Sequence, residues 1–148
     1  MCNLQQELRI KSKQGYKIVA KMKGKKGFYS LAMGFLYPGE KERIPIVKKQ
    51  DRISGFFLDD ILVKKTIANN LKMEGRTAIF VDLKEAKQYY RNLADCDLLK
   101  DNFRICLVEA TIYDDILKGT YGYEVVYAGR RIKFGKMLKS CNGGGGVG

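Results

Sequence analysis

The chain of 148 residues carries a formal net charge of +12, from 28 Lys and Arg against 16 Asp and Glu, and contains no histidine. Its length suits one domain with a single core, and 45% hydrophobic with 30% charged residues exclude an intrinsically disordered chain. Without imidazole, Ser-His and Cys-His nucleophile pairs and histidine metal ligands are excluded as well.

No apolar run approaches the roughly 18 residues of a membrane helix. The opening MCNLQQELRIKSK also lacks the apolar segment of a secretory signal. The expectation is a soluble cytoplasmic protein with no membrane partner. A domain of this size needs no bridges, so without a secretory signal Cys2, Cys96, Cys106 and Cys141 are expected as reduced thiols, and with no CxxC pair among them no bound metal and no cofactor are expected.

In chain order, Tyr16 to Met22 alternates apolar and polar residues, with Tyr16, Ile18, Ala20 and Met22 on one face, the period of a half-buried strand. Gly24-Lys-Lys-Gly27 reads as a turn and Phe28 to Met33 as the returning strand. Pro38-Gly39 marks another turn. Residues 40–57 hold Ile44, Ile46 and Val47 and suit a short strand, whereas 59–72 fit either a helix capped at Asp59 or a strand at Ile61–Ile67. Thr77 to Val81 is a β-branched, apolar strand. Asp82 with Glu85 three residues on forms an N-cap with a box-like partner, and Leu83, Ala86, Tyr90 and Leu93 make one stripe of a helix over 83–93. Phe103 to Ile112 is apolar on both faces, as in a central strand.

The last predicted element is a C-terminal β-hairpin with Ala128-Gly129 as a two-residue loop. That register pairs Tyr127 with Arg130, Val125 with Ile132, Tyr123 with Phe134, and Glu124 with Lys133. The expected fold class is α+β, a mainly antiparallel sheet with one or two helices packed on it. Residues 1–139 form the basic domain, and 140–148 are a flexible Gly-rich tail.

The charge is uneven: residues 1–49 carry +9, residues 50–129 carry −2 and residues 130–148 carry +5. Two basic ends around a balanced middle suit an anionic partner if the fold joins them. Lys23, Lys25 and Lys26 flank a Gly-rich turn whose amides can hold phosphate, with Phe28 or Tyr29 placed to stack on a base. Arg130, Arg131 and Lys133 form the second cluster, interleaved with Tyr121, Tyr123 and Tyr127. The plainer reading is a solvated turn whose lysines discourage edge pairing and half-buried tyrosines under arginines. Asp82-Leu-Lys84 after a strand resembles the carboxylate-x-lysine half of a metal-dependent nuclease core, which needs another carboxylate such as Asp59 or Asp60 close by; helix capping accounts for Asp82 fully, so the nuclease is the least favoured of the readings. Cys106, inside an apolar strand, reads as a core thiol.

The succession Gly15-Tyr-Lys-Ile-Val, Phe28-Tyr-Ser-Leu, Ile79-Phe-Val-Asp-Leu-Lys-Glu-Ala-Lys, Glu109-Ala-Thr-Ile and Lys118-Gly-Thr-Tyr-Gly-Tyr resembles small uncharacterised accessory proteins of phages and mobile elements. These motifs, spread over residues 15–134, mark strands, a cap and turns, so the resemblance assigns no site residue. It implies a bacterial host cell and a role by binding, inhibition of host defence among them. The expected function is non-catalytic binding of nucleic acid, a nucleotide or an acidic protein surface through a basic face on which Lys25, Lys26, Arg130 and Arg131 converge. The alternative is a virion-associated or other structural and assembly protein, and self-association into a homo-oligomer stays open.

Overall fold

The computed structural model describes residues 2–31, 35–45, 75–94, 103–121 and 124–142. They build one seven-stranded antiparallel sheet and a helix: β1 (Cys2–Glu7), β2 (Ser12–Met22), β3 (Thr77–Phe80), α1 (Leu83–Ala94), β4 (Phe103–Tyr113), β5 (Leu117–Tyr121), β6 (Glu124–Gly129) and β7 (Arg131–Asn142). The sheet order is β1-β5-β6-β3-β2-β4-β7. The α+β class read from the sequence is the observed one.

The long β2–β4 ladder is the backbone of the molecule, running from Ser12 opposite Tyr113 to Met22 opposite Phe103. Paired residues point to the same face, so Ile18 with Leu107 and Ala20 with Ile105 meet Ala86 and Tyr90 of α1. On the other face Val19, Cys106 and Val108 pack with Tyr37 and Ile44 from the segment after β2. Helix and irregular segment thus cover opposite faces, which explains why 105–108 is apolar without alternation. Cys106 is fully buried as a core thiol, its sulfur 3.8 Å from the Ser140 hydroxyl.

The C-terminal half departs from the expected register. Strands β5 and β6 form the hairpin, from Tyr121 opposite Glu124 to Leu117 opposite Ala128. Strand β7 pairs instead with β4, from Arg131 opposite Tyr113 to Asn142 opposite Arg104. The Ala128-Gly129 loop pairing Tyr127 with Arg130 is therefore corrected: Tyr127 pairs with Lys118 and Ile79, Ile132 with Ile112, and Lys133 with Thr111. Gly129 passes so close to β4 that a side chain there would meet the Tyr113 carbonyl oxygen at 2.8 Å, and the Arg130 amide donates to that oxygen at 3.0 Å. Continuing the chain past β4 satisfies these groups, whereas a tight turn would strand them.

Strands β4 and β5 thus form one arm of a long bent hairpin, and β6 and β7 the other. The bend lies at Asp114 and Asp115, both with positive φ (66° and 47°), opposite Arg130. Four strand positions separate β4 from β5 in the sheet, about 19 Å if flat. The chain from Tyr113 to Leu117 reaches at most about 14 Å. The sheet is therefore curled, and the bent hairpin draws its two halves together.

Local signals explain the helix and the turns. The Lys84 amide donates to Asp82 Oδ1 at 2.8 Å, an N-cap contact, and the Ala86 amide to the Asp82 carbonyl at 3.0 Å. Leu83, Tyr89 and Leu93 flank the buried Ala86 and Tyr90. After Gly39 a turn closes, with the Glu42 amide donating to the Gly39 carbonyl at 2.9 Å. The returning strand from Phe28 shrinks to single bridges, Tyr29 with Ala20 and Tyr29 with Leu36. Ile44 is buried and its amide donates to the Arg130 carbonyl at 2.6 Å, without forming a strand. Ser140, Cys141 and Asn142, expected in the tail, belong to the β4–β7 ladder. The readings at Met33, Ile46, Val47, 59–72 and Tyr123 lie outside the described residues.

Candidate functional site

The described residues hold 21 Lys and Arg against nine Asp and Glu, which is the whole net charge of +12. The sites they form are set by which end of the β2–β4 ladder each cation occupies.

At the Met22–Phe103 end, Lys23, Lys25 and Lys26 are all exposed on the turn that leaves β2. Gly24 and Gly27 adopt φ of 74° and 87°, and the Lys25 amide closes the turn by donating to the Met22 carbonyl at 3.2 Å. Lys21, exposed, lies directly opposite exposed Arg104 on the neighbouring strand. Like charges in direct cross-strand register repel. No Asp or Glu occurs in 21–31, 103–108 or 139–142, so no described carboxylate of these segments neutralises the five cations. Tyr29, expected as a stacking ring, is corrected by its burial: it is 6% exposed and packs with Ala20 and Ala86 in the core under α1. Phe28 is half-buried, its ring centroid 5.0 Å from that of Phe134.

Arg130, Arg131 and Lys133 lie at the other end of the ladder, beside Tyr113 and Ser12. Eleven residues of β2 separate the two ends, about 33 Å at the strand rise. The expected convergence of Lys25 and Lys26 with Arg130 and Arg131 is therefore corrected: they are two clusters. The second cluster is paired internally. Arg130 Nε donates to Asp115 Oδ2 at 2.9 Å, Arg131 Nε donates to Asp114 Oδ2, and Arg131 Nη1 donates to the Glu40 carbonyl at 3.2 Å. Lys133 lies 3.8 Å from the Glu40 carboxylate. Arg76 Nε donates to the Asp115 carbonyl at 3.2 Å. The hydrogen bond from Arg131 holds the Asp114 carboxyl below its usual range, and the same bond raises Arg131. These arginines clamp the bend where two aspartates take left-handed backbone angles.

Among the described residues no group of three His, Cys, Asp or Glu is placed to hold a metal ion. Asp82 is engaged as a cap, and Asp59 and Asp60 lie outside the described residues. Glu85, expected to complete a capping box, turns to Glu124, whose hydrogen bond raises Glu85 to about 7. Sequence reasoning missed one feature, an open groove of about 660 Å³ lined by Ser12, Gln14, Tyr16, Glu109, Thr111 and Lys133. It continues the sheet face that α1 covers farther along. Its signal was present in the polar residues at alternate positions of 12–14 and 109–111, but pairing those runs required the register.

Among the described residues no helix is long and apolar enough to cross a membrane. Comparison with protein-family models, with curated proteins and with solved structures returns no match.

Proposed function

We propose that this protein is a non-catalytic nucleic-acid binder that contacts the phosphate backbone through Lys21, Lys23, Lys25, Lys26 and Arg104. The observation that carries this reading is the direct opposition of Lys21 and Arg104 beside a lysine-rich turn, with no acid in residues 21–31, 103–108 or 139–142. A polyanion lying across that end converts mutual repulsion into attraction. With Tyr29 buried and Phe28 packed on Phe134, the contact is electrostatic and independent of sequence. The net charge of +12 steers the encounter. Within a bacterial host such a protein works by occupying nucleic acid, and interference with host defence is one use of that activity.

The test is binding of a labelled DNA duplex between about 50 and 200 mM salt. Lys25→Glu with Lys26→Glu is expected to weaken binding at least about tenfold. It also flattens the slope of log K against log salt by about 0.9 for each phosphate that the variant no longer neutralises. Lys136→Glu, on exposed β7, carries the same charge change per residue away from the turn and serves as the control. Unchanged affinity in the turn variant, or an equal per-residue loss in the control, would overturn the assignment.

A second reading, a virion-associated or assembly role, has one observation in its favour. Among the described residues β7 ends the sheet with a 12-residue edge, the kind of edge that accepts a strand from another chain. Sedimentation of the purified protein distinguishes it, since assembly requires self-association without nucleic acid.

A further inference from the structure

Lys13 and Lys118 come from distant parts of the chain and converge on one aromatic ring. Lys13 Nζ lies 4.8 Å from the Tyr127 ring centroid, and Lys118 Nζ lies 5.9 Å from the same centroid. Register explains how they meet. Lys118 is the direct partner of Tyr127 across β5–β6, while Lys13 projects from β2 on the face where its partner Ile112 is buried. The curl of the sheet carries that face toward β6. All three side chains are half-buried. Thr120, two residues beyond Lys118 on the same strand, shares its face and is also half-buried.

One ring attracts one ammonium readily, and a second ammonium 5.9 Å from the same centroid adds like charge to the same neighbourhood. In the bend cluster Arg130, Arg131 and Lys133 form ion pairs with Asp115, Asp114 and Glu40. Neither Lys13 nor Lys118 has a carboxylate partner among the described residues. The neighbouring Lys17 is differently placed, since its ammonium donates to the Ala78 carbonyl at 2.6 Å. Two ammoniums without carboxylate partners, half-withdrawn from water over one phenol ring, with Thr120 two positions along the same strand, are a donor set suited to a compact phosphoryl anion.

We propose that Lys13, Lys118 and Tyr127 form a phosphoryl-anion site, distinct from the lysine turn and independent of the nucleic-acid reading. The two ammoniums hold the phosphoryl oxygens, Tyr127 keeps them poised on its ring, and Thr120 adds a hydroxyl donor. Binding involves no covalent step. The phosphoryl group belongs either to a free inorganic anion or to a nucleotide, and the two sources are separable.

Inorganic pyrophosphate and ADP, each titrated at constant ionic strength, serve as probes, with the backbone amide NMR spectrum of the whole chain as readout. Saturable shifts centred on Lys13, Lys118 and Tyr127 are expected. They should weaken at least tenfold in Lys13→Gln with Lys118→Gln and survive in Lys25→Glu with Lys26→Glu. Tighter binding of ADP assigns the site to a nucleotide, and equal binding assigns it to the free anion. Unsaturable shifts spread over all lysines would overturn the proposal, as would saturation unaffected by the glutamine pair. The single variants Lys13→Gln and Lys118→Gln, each checked for an unchanged spectrum without ligand, keep the test decisive if the double variant unfolds.

Discussion

Single residues in this protein are constrained by how closely backbones approach. Gly15 lies where β2 touches β3, and an added Cβ would overlap the Phe80 carbonyl oxygen and stand 2.9 Å from Ile79 Cδ1. Backbone cannot yield as a side chain can, so Gly15→Ala is expected to cost about 1–3 kcal/mol, seen as a lower urea midpoint with unchanged slope. Gly15 was legible only as part of a strand pattern, because nothing local to a glycine announces which carbonyl will pass it. Arg130 and Arg131 teach the same lesson from the side of charge. In the chain they look like free cations, yet Asp114 and Asp115 lie opposite them across the bend and engage both.

At the scale of elements, α1 depends on its first turn. Removing the acceptor for the Lys84 amide in Asp82→Ala is expected to destabilise the fold by about 1 kcal/mol. Asp82→Ser restores most of that loss, and thermal melts of the three proteins check the ranking. Recovery by serine separates capping from a metal-binding role, which serine would not restore. The cap, the helix stripe and the apolar central strand were legible because each is a local pattern at the period of its own element. The hairpin register was not. Alternation at 123–134 permits pairing with any apolar face in reach, and the close approach of Gly129 to Tyr113 selected β4 for β7.

At the scale of the whole molecule, the helix and the start of strand β6 meet through two carboxyls. Glu85 in the first turn of α1 and Glu124 at the start of β6 share a hydrogen bond, and Glu85 rises to about 7. A raised carboxyl binds more protons folded than unfolded, so its contribution is fully present below about pH 4.5 and is lost as pH rises through about 7. Glu124→Gln removes the coupling; urea melts are expected to show the variant gaining on the native protein at about pH 8 and not at about pH 4. Asp114 runs the opposite way, its stabilisation lost as pH falls through its lowered value. The amino-acid sequence by itself determined the α+β class, the strands at 16–22, 77–81 and 103–112, the capped helix and the excess of positive charge. Each follows from periodicity, capping chemistry or composition, which act over a few residues or over the chain total. Only the tertiary structure decided that the cations divide between two ends of a long ladder, that one group is tied up by aspartates, and that Lys13 and Lys118 meet on Tyr127. The reason is physical: Coulomb and cation–π energies depend on separation in space, and separation is set by strand order and sheet curl, which no local pattern in the chain encodes.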